Sequence, residues 1–204
     1  SEMCIRDRIN AKLLIFWGAN VAESRLAAAH LLPESRYRGA KVVGIFTDYN
    51  ATARMADQFI SPKPGTDAAM IMGLIKILLD NQWYDEEYTK TFTDLPLLIR
   101  SDNKKFLRET DMVPGGSPFK LYLWDRKSNW PALAPGTMGD QRDTLDLAAC
   151  NLDPLLDFSG RVTLNNGQGI AIQTVFNRLR EEVKSYTPQK VTAITSVGGQ
   201  TLKK

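Results

Sequence analysis

The sequence predicts an α/β fold: a parallel sheet with flanking helices, plus an inserted region of small β-hairpins. Three observations predict it. Two nearly continuous apolar runs, residues 12–17 and 41–46, stand on either side of a helix-forming segment. Each run ends in a turn of small and polar residues. After Leu95 the composition shifts, and short strand-like runs alternate with turn-rich stretches. A chain of 204 residues with 43% hydrophobic residues can bury a sizeable core, as one domain or one with an appendage.

Residues 12–17 (KLLIFW) form the first strand. A run this apolar suits a strand covered on both faces. Gly18, Ala19 and Asn20 make the turn, and residues 23–32 have helical composition, with a stop expected near Pro33. Gly39 precedes the second strand, residues 41–46. Strand, turn, helix and strand within this length make a βαβ unit, so the sheet is Rossmann-like. A short helix is expected over residues 51–56 and a brief third strand over 58–61. Pro62 to Gly65 form a turn, and Thr66 or Asp67 caps a helix over residues 68–79. Met70, Leu74, Ile77 and Leu78 recur in it at helical spacing and are read as core. Asp85 caps a further helix over residues 85–93.

Beyond Leu95, residues 121–124 and 132–133 pair around the polar turn 126–129. Residues 161–164 and 169–174 form a hairpin through Asn165, Asn166, Gly167 and Gln168. Between them, residues 135–154 are polar and turn-rich. Residues 176–185 make an amphipathic helix with Phe176, Leu179 and Val183 on one face. Thr187 and Pro188 open a last helix over residues 189–196. The segment from Gly198 reads as the start of another, cut short. The expected organisation is a non-native leader over residues 1–8 and an α/β domain over 9–94. An insertion with hairpins follows over 95–174, then a helical return to the α/β domain over 175–204. Both ends read as cuts through a longer protein.

The composition narrows the function. A net charge of +3 with dispersed Lys and Arg gives no basic patch, so no nucleic-acid partner is expected. No run is long and apolar enough to span a membrane; residues 68–79 are too short and contain Lys76. Cys4, Cys150 and the one histidine, His30, match neither zinc nor iron–sulfur spacing. His30 lies in an alanine-rich run and is read as a packing or surface residue. No catalytic residue and no metal ligand is assigned to this chain.

The chemistry lies in three turns at strand ends, the edge where open parallel sheets bind ligands. The first is Trp17, Gly18, Ala19 and Asn20, leading into Glu23 and Ser24. Glycine admits close backbone approach, and free amides at a helix start suit a phosphate. The second is Thr47, Asp48 and Tyr49, where a carboxylate accepts from ribose hydroxyls or from a guanine N–H edge. The third is Pro64, Gly65, Thr66 and Asp67 before two alanines, with Asp67 either a helix cap or a purine ligand. Asp48 has its own bland reading, as a cap for residues 51–56. The first turn lacks Gly-x-Gly-x-x-Gly, so an ordinary nicotinamide or flavin fingerprint is absent.

The order is more specific than any one turn. WGAN follows a strand, TDYN follows the next, and Ala56-Asp57 and PGTDAA precede a long apolar helix. This pattern resembles the molybdopterin oxidoreductase (dimethyl sulfoxide reductase) family over residues 12–88, including Trp83 to Tyr88. Asp48-Tyr49 and the segment FTDLPLL at residues 92–98 resemble the branch of nitrate reductase and nitrite oxidoreductase alpha (catalytic) subunits. Residues 104–111, 121–125 and 134–137 are similar to the same branch.

The resemblance implies a molybdenum-bis(molybdopterin guanine dinucleotide) cofactor and oxygen-atom transfer or hydroxylation in the whole enzyme, with a small oxyanion as substrate. The residues it assigns to the dinucleotide are Trp17, Gly18, Ala19, Asn20, Glu23, Ser24, Thr47, Asp48, Tyr49, Pro64, Gly65, Thr66 and Asp67. The metal ligand and a 4Fe-4S cluster are expected in an earlier part of the polypeptide, so this piece alone is expected to be inactive. Implied partners are an iron–sulfur electron-transfer subunit and, within the branch, a haem or membrane-anchor subunit. A membrane-associated complex of bacteria or archaea fits, on the cytoplasmic or the periplasmic face. Three alternatives stay open: another family member such as a formate dehydrogenase, arsenate, polysulfide, selenate or perchlorate reductase or ethylbenzene dehydrogenase; a relative without metal; and an unrelated nucleotide-binding module.

Overall fold

A computed structural model describes residues 7–136, 147 and 150–201. The chain divides into two compact units, Ser1–Ile77 with Tyr186–Lys204, and Leu78–Ser185.

The first unit is built on a parallel sheet of order β1-β2-β3, with β1 Leu13–Trp17, β2 Lys41–Ile45 and β3 Gln58–Ile60. Leu14 pairs with Val42 and Trp17 with Ile45; Ile45 in turn pairs with Ile60. Alternation along the strands sends side chains to two apolar layers. Phe16, Val42 and Phe46 pack with Val21 and Leu32 on one side. Ile45 and Ile60 pack with Met70, Val191 and Val197 on the other. Val42 is fully buried, which stabilises the sheet by about 1.5–3 kcal/mol for that side chain alone.

Both faces of β1 were expected to be covered, and one is not. Leu13 and Ile15 are 53% and 55% exposed. The strand lies at the edge of the sheet, and the second apolar layer is centred on β2 and β3, reaching β1 only at Trp17.

The first helical segment also differs from expectation. It starts earlier and runs in three short pieces, α1 Val21–Ser24, α2 Leu26–Ala29 and α3 Leu31–Tyr37. Pro33 does not stop it, because it lies in the first turn of α3, where its missing N–H would have had no helical partner. The expected helix over 51–56 is only a 3-10 turn, Ala53–Met55. Asp57 begins the approach to β3. One carboxylate oxygen accepts from the Val42 amide at 2.8 Å and the other pairs with Arg36 at 2.5 Å. The amide bond and Arg36 hold this carboxyl below its ordinary pKa against the cost of desolvation.

The long helix α4, Asp67–Asp80, buries Met70 and packs Leu74 and Ile77, whereas Leu78 is exposed. The last helix, α8 (Pro188–Thr195 in the α/β unit), has Thr187 as N-cap, accepting from the Lys190 amide, with Pro at its first turn. Gly73 is the contact point between these two helices. A Cβ there would sit 2.7 Å from Cγ2 of fully buried Val191. Alanine normally gains about 1 kcal/mol over glycine in a helix. Here the clash outweighs it, and Gly73→Ala is expected to cost about 1–2 kcal/mol in urea unfolding; a stabilised variant would contradict this packing.

The second unit holds α5 Glu86–Phe92, whose N-cap Asp85 accepts from the Tyr88 amide, and α6 Glu109–Met112. Its three-stranded antiparallel sheet has the order β4-β8-β7, with β4 Leu98–Arg100, β7 Ser159–Thr163 and β8 Gly169–Thr174. A separate hairpin pairs β5 Tyr122–Asp125 with β6 Trp130–Leu133. Both expected hairpins are present, and β4 is a third strand that sequence reading did not include. The helix α7, Val175–Val183, is capped by Thr174 and buries Phe176 and Val183. It groups with the hairpins: the Phe176 amide donates to Leu95 O, and its ring lies 5.6 Å from Tyr84. The unit boundaries therefore fall at 77/78 and 185/186. Residues 137–146, 148 and 149 of the turn-rich stretch 135–154, residues 1–6 of the leader expected over 1–8 and residues 202–204 of the segment expected to start a helix from Gly198 lie outside the described residues.

Candidate functional site

Parallel strands deliver the loops after β1, β2 and β3 to one edge of the sheet. There they surround a cleft of about 250 Å³ lined by Gly18, Asn20, Ile45, Phe46, Thr47, Asp48, Asn50, Pro62 and Asp67. Turns far apart in sequence meet here for a topological reason.

Side-chain bonds fasten the loops together. Trp17 Nε1 donates to Asp67 Oδ1 at 2.6 Å, joining the first turn to the third. Asn20 Oδ1 accepts from the Thr52 hydroxyl at 2.8 Å and from the Thr52 amide at 3.3 Å, joining the first to the second. The same hydroxyl accepts from the Ala22 amide at 3.0 Å. Thr52 is fully buried. The backbone contributes too: the Gly18 amide donates to Ile45 O, and the Lys63 amide to Thr195 O.

Gly18 turns with φ +65, and a Cβ built there meets no protein atom within 4 Å. It lines the cleft in a left-handed conformation that glycine adopts without strain.

The expected phosphate cradle at the helix start is not available. The amides of Val21, Ala22, Glu23 and Ser24 are taken by Ala19 O, the Thr52 hydroxyl and Asn20 O. The Glu23 carboxylate accepts from Asn20 Nδ2 and the Ser24 hydroxyl donates to Asn20 O, so both close the turn upon itself. Among the described residues, only the amides of Ala19 and Asn20 in this turn donate to no protein acceptor.

The two carboxylates differ. Asp67 is the first residue of α4, and its Oδ1 is engaged by Trp17 rather than by the helix amides. Asp48 is exposed and makes no hydrogen bond or ion pair among the described residues. The capping role weighed for it belongs to Asn50, whose Oδ1 accepts from the Ala53 amide at 3.0 Å. Among the described residues no Lys or Arg lines the cleft. Two acceptors with no cation suit hydroxyl and N–H donors better than an anion.

Of the residues expected at the site, Gly18, Asn20, Thr47, Asp48 and Asp67 line the cleft. Trp17, Ala19 and Ser24 line a neighbouring groove with Arg25. Tyr49 stacks edge-on against Phe59 at 5.2 Å. Pro64, Gly65, Thr66 and Glu23 do not line the cleft; Gly65 makes the left-handed turn before α4, and the Thr66 hydroxyl donates to Lys63 O. Sequence reading missed Thr52, Asn50 and Pro62. Only Asn50, polar and just past a strand end, carried a local signal.

A family model described as molybdopterin oxidoreductase matches residues 3–204. The chain belongs to the molybdopterin oxidoreductase family. It is 36% identical to the perchlorate reductase subunit alpha of Dechloromonas aromatica (strain RCB), over 96% of this chain and 23% of that protein. It is also 36% identical to the respiratory nitrate reductase subunit alpha of Haloferax mediterranei, over 96% of this chain and 20% of that protein. The chain thus spans 20–23% of the length of these family members. Among solved structures it is similar to acetylene hydratase from Pelobacter acetylenicus, with a TM-score of 0.49 and 17% identity, over 99% of this chain and 18% of that one. Among the described residues no group of His, Cys, Asp or Glu is arranged to hold a metal ion, and no helix is long and apolar enough to cross a membrane.

Proposed function

We propose that the chain is part of the alpha subunit of a molybdopterin oxidoreductase acting on a small oxyanion such as nitrate or perchlorate. Its cleft holds the nucleoside end of one molybdopterin guanine dinucleotide. Similarity to alpha subunits so named supports the first statement. One observation carries the second: loops from three parallel strands converge on one cleft with an uncommitted carboxylate, Asp48, at its edge. The cleft is smaller than the ~300–1,000 Å³ usual for a whole small molecule, so it takes a part of the dinucleotide. Its acceptors match the ribose hydroxyls and the N1–H and N2–H₂ edge of guanine. The pyrophosphate is left to the Ala19 and Asn20 amides and to groups beyond this cleft.

When bound, the cofactor supplies two-electron chemistry with oxygen transfer at molybdenum. The residues of this chain bind and orient its nucleoside. A metal ligand, a 4Fe-4S cluster and an iron–sulfur partner subunit belong, in this reading, to the rest of the complex.

The test uses the full-length subunit and measures GMP released per protein by acid hydrolysis. A charge-assisted hydrogen bond contributes about 1.5–3 kcal/mol. Asp48→Ala is therefore expected to lower the GMP retained after gel filtration at least severalfold, with unfolding unchanged because the side chain is exposed. Unchanged GMP content in Asp48→Ala would sink the assignment of this cleft.

A further inference from the structure

We propose that Trp17 is a positioning residue that makes the cleft select its nucleobase, by locking Asp67 as a fixed acceptor. The inference rests on the reading of the cleft as a nucleoside site, and goes beyond it by assigning selectivity to a residue outside the cleft wall.

Trp17 ends β1 and packs on the layer of Ile45, Met70 and Leu74, so its ring is held by the sheet and by α4. Its indole nitrogen lies 2.6 Å from Asp67 Oδ1, across 50 residues of sequence. An indole N–H only donates. The oxygen it meets must therefore be an acceptor, and the bond fixes the plane in which the carboxylate lies. Asp67 also lines the cleft, so its carboxylate is presented there as an acceptor in one orientation.

A fixed acceptor sorts ligands by their edge. Guanine brings two adjacent donors, N1–H and N2–H₂. Hypoxanthine keeps the first and lacks the second. Adenine offers a bare N1 acceptor in the same place, acceptor against acceptor. Without the indole, the Asp67 side chain is free to rotate and to accept from the amides of its own helix, as its position at the start of α4 allows. Selectivity then falls while room for the base remains.

The experiment is equilibrium binding of GDP and of IDP to the full-length subunit purified without cofactor. One charge-assisted hydrogen bond to the N2 amino group corresponds to about a tenfold preference for GDP. In Trp17→Phe that preference is expected to fall within about twofold, GDP weakening about fivefold more than IDP. A purely structural strut would weaken both nucleotides alike, and that result overturns the proposal. So does a retained tenfold preference. Asp67→Ala, which leaves the tryptophan packing in place, is expected to lose the preference as well; keeping it would refute the role of Asp67. If the wild-type subunit binds neither nucleotide, the cleft reading itself fails. If it binds both with the GDP preference and Trp17→Phe changes nothing, only the present inference does.

Discussion

Replacing Asp125 by Asn is expected to destabilise the hairpin unit by about 2–3 kcal/mol at neutral pH, and by far less near pH 2. Asp125 closes β5 and is 3% exposed. Burial alone would raise its pKa. Hydrogen bonds from the amides of Asp153, Ser128 and Lys127 and from the Ser128 hydroxyl overcome that cost and bring it to about 2. One oxygen accepts from the Asp153 amide at 2.8 Å and the other from the Ser128 amide at 2.9 Å. The first ties the returning segment to the strand; the second shapes the turn into β6. Asparagine keeps one acceptor and turns an NH₂ towards the other amide. A buried donor left without a partner costs about 1–3 kcal/mol, and like dipoles add to it. The sign with pH follows from the lowered value. The unfolded chain binds the proton more readily, so the stabilisation is full above about pH 4 and is lost as pH falls towards 2. At about 1.36 kcal/mol per unit, the carboxylate contributes ~2 kcal/mol at pH 7. Urea titrations of both proteins at pH 7 and pH 2.5 check this. A gap of unchanged size at pH 2.5 would rule out the carboxylate as its cause.

The parts of this fold that were legible are those fixed by neighbours in sequence. Apolar runs gave β1 and β2, and the polar turn with Gly167 at φ +80 gave the β7–β8 hairpin. Asp85 and Thr187 were recognisable as caps because an N-cap bonds an amide only three residues on. What depends on distant chain was not legible. Strand β4 is three residues long and exists because β8 pairs with it. Leu78 follows the helical spacing of Leu74, yet it is 44% exposed, while its neighbour Ile77 packs on the layer of Met70 and Val191. The same distinction runs through the site. The turns could be named, since strand ends in a parallel sheet share one edge. Which of their atoms remain free could not, because the answer lies in partners 30 to 50 residues away.

Thr52→Val tests the most consequential of those partners. The exchange keeps the shape of the side chain and removes only the hydroxyl. That hydroxyl is fully buried, donates to Asn20 Oδ1 and accepts from the Ala22 amide. Valine leaves the Ala22 amide with no acceptor and Asn20 Oδ1 with only the longer bond from the residue-52 amide, at 3.3 Å. One unsatisfied buried group costs about 1–3 kcal/mol, so a total of about 2–3 kcal/mol is expected, offset only slightly by the gain of a methyl group. The loss is local: the first and second turns lose the side-chain bond between them while the β1–β2 pairing stands. Hydrogen exchange at the Ala22 amide should therefore quicken by a factor of about 30 or more for ~2 kcal/mol, with exchange in β2 little changed. Thr52→Ser, which restores the hydroxyl, should return the amide to near its original protection. Equal quickening across β1, β2 and the turn would mean that Thr52 supports the whole sheet rather than the cleft. Because Asn20 also lines the cleft, the valine variant of the full-length subunit should retain less GMP than the serine variant. Equal retention would separate the order of these turns from cofactor binding.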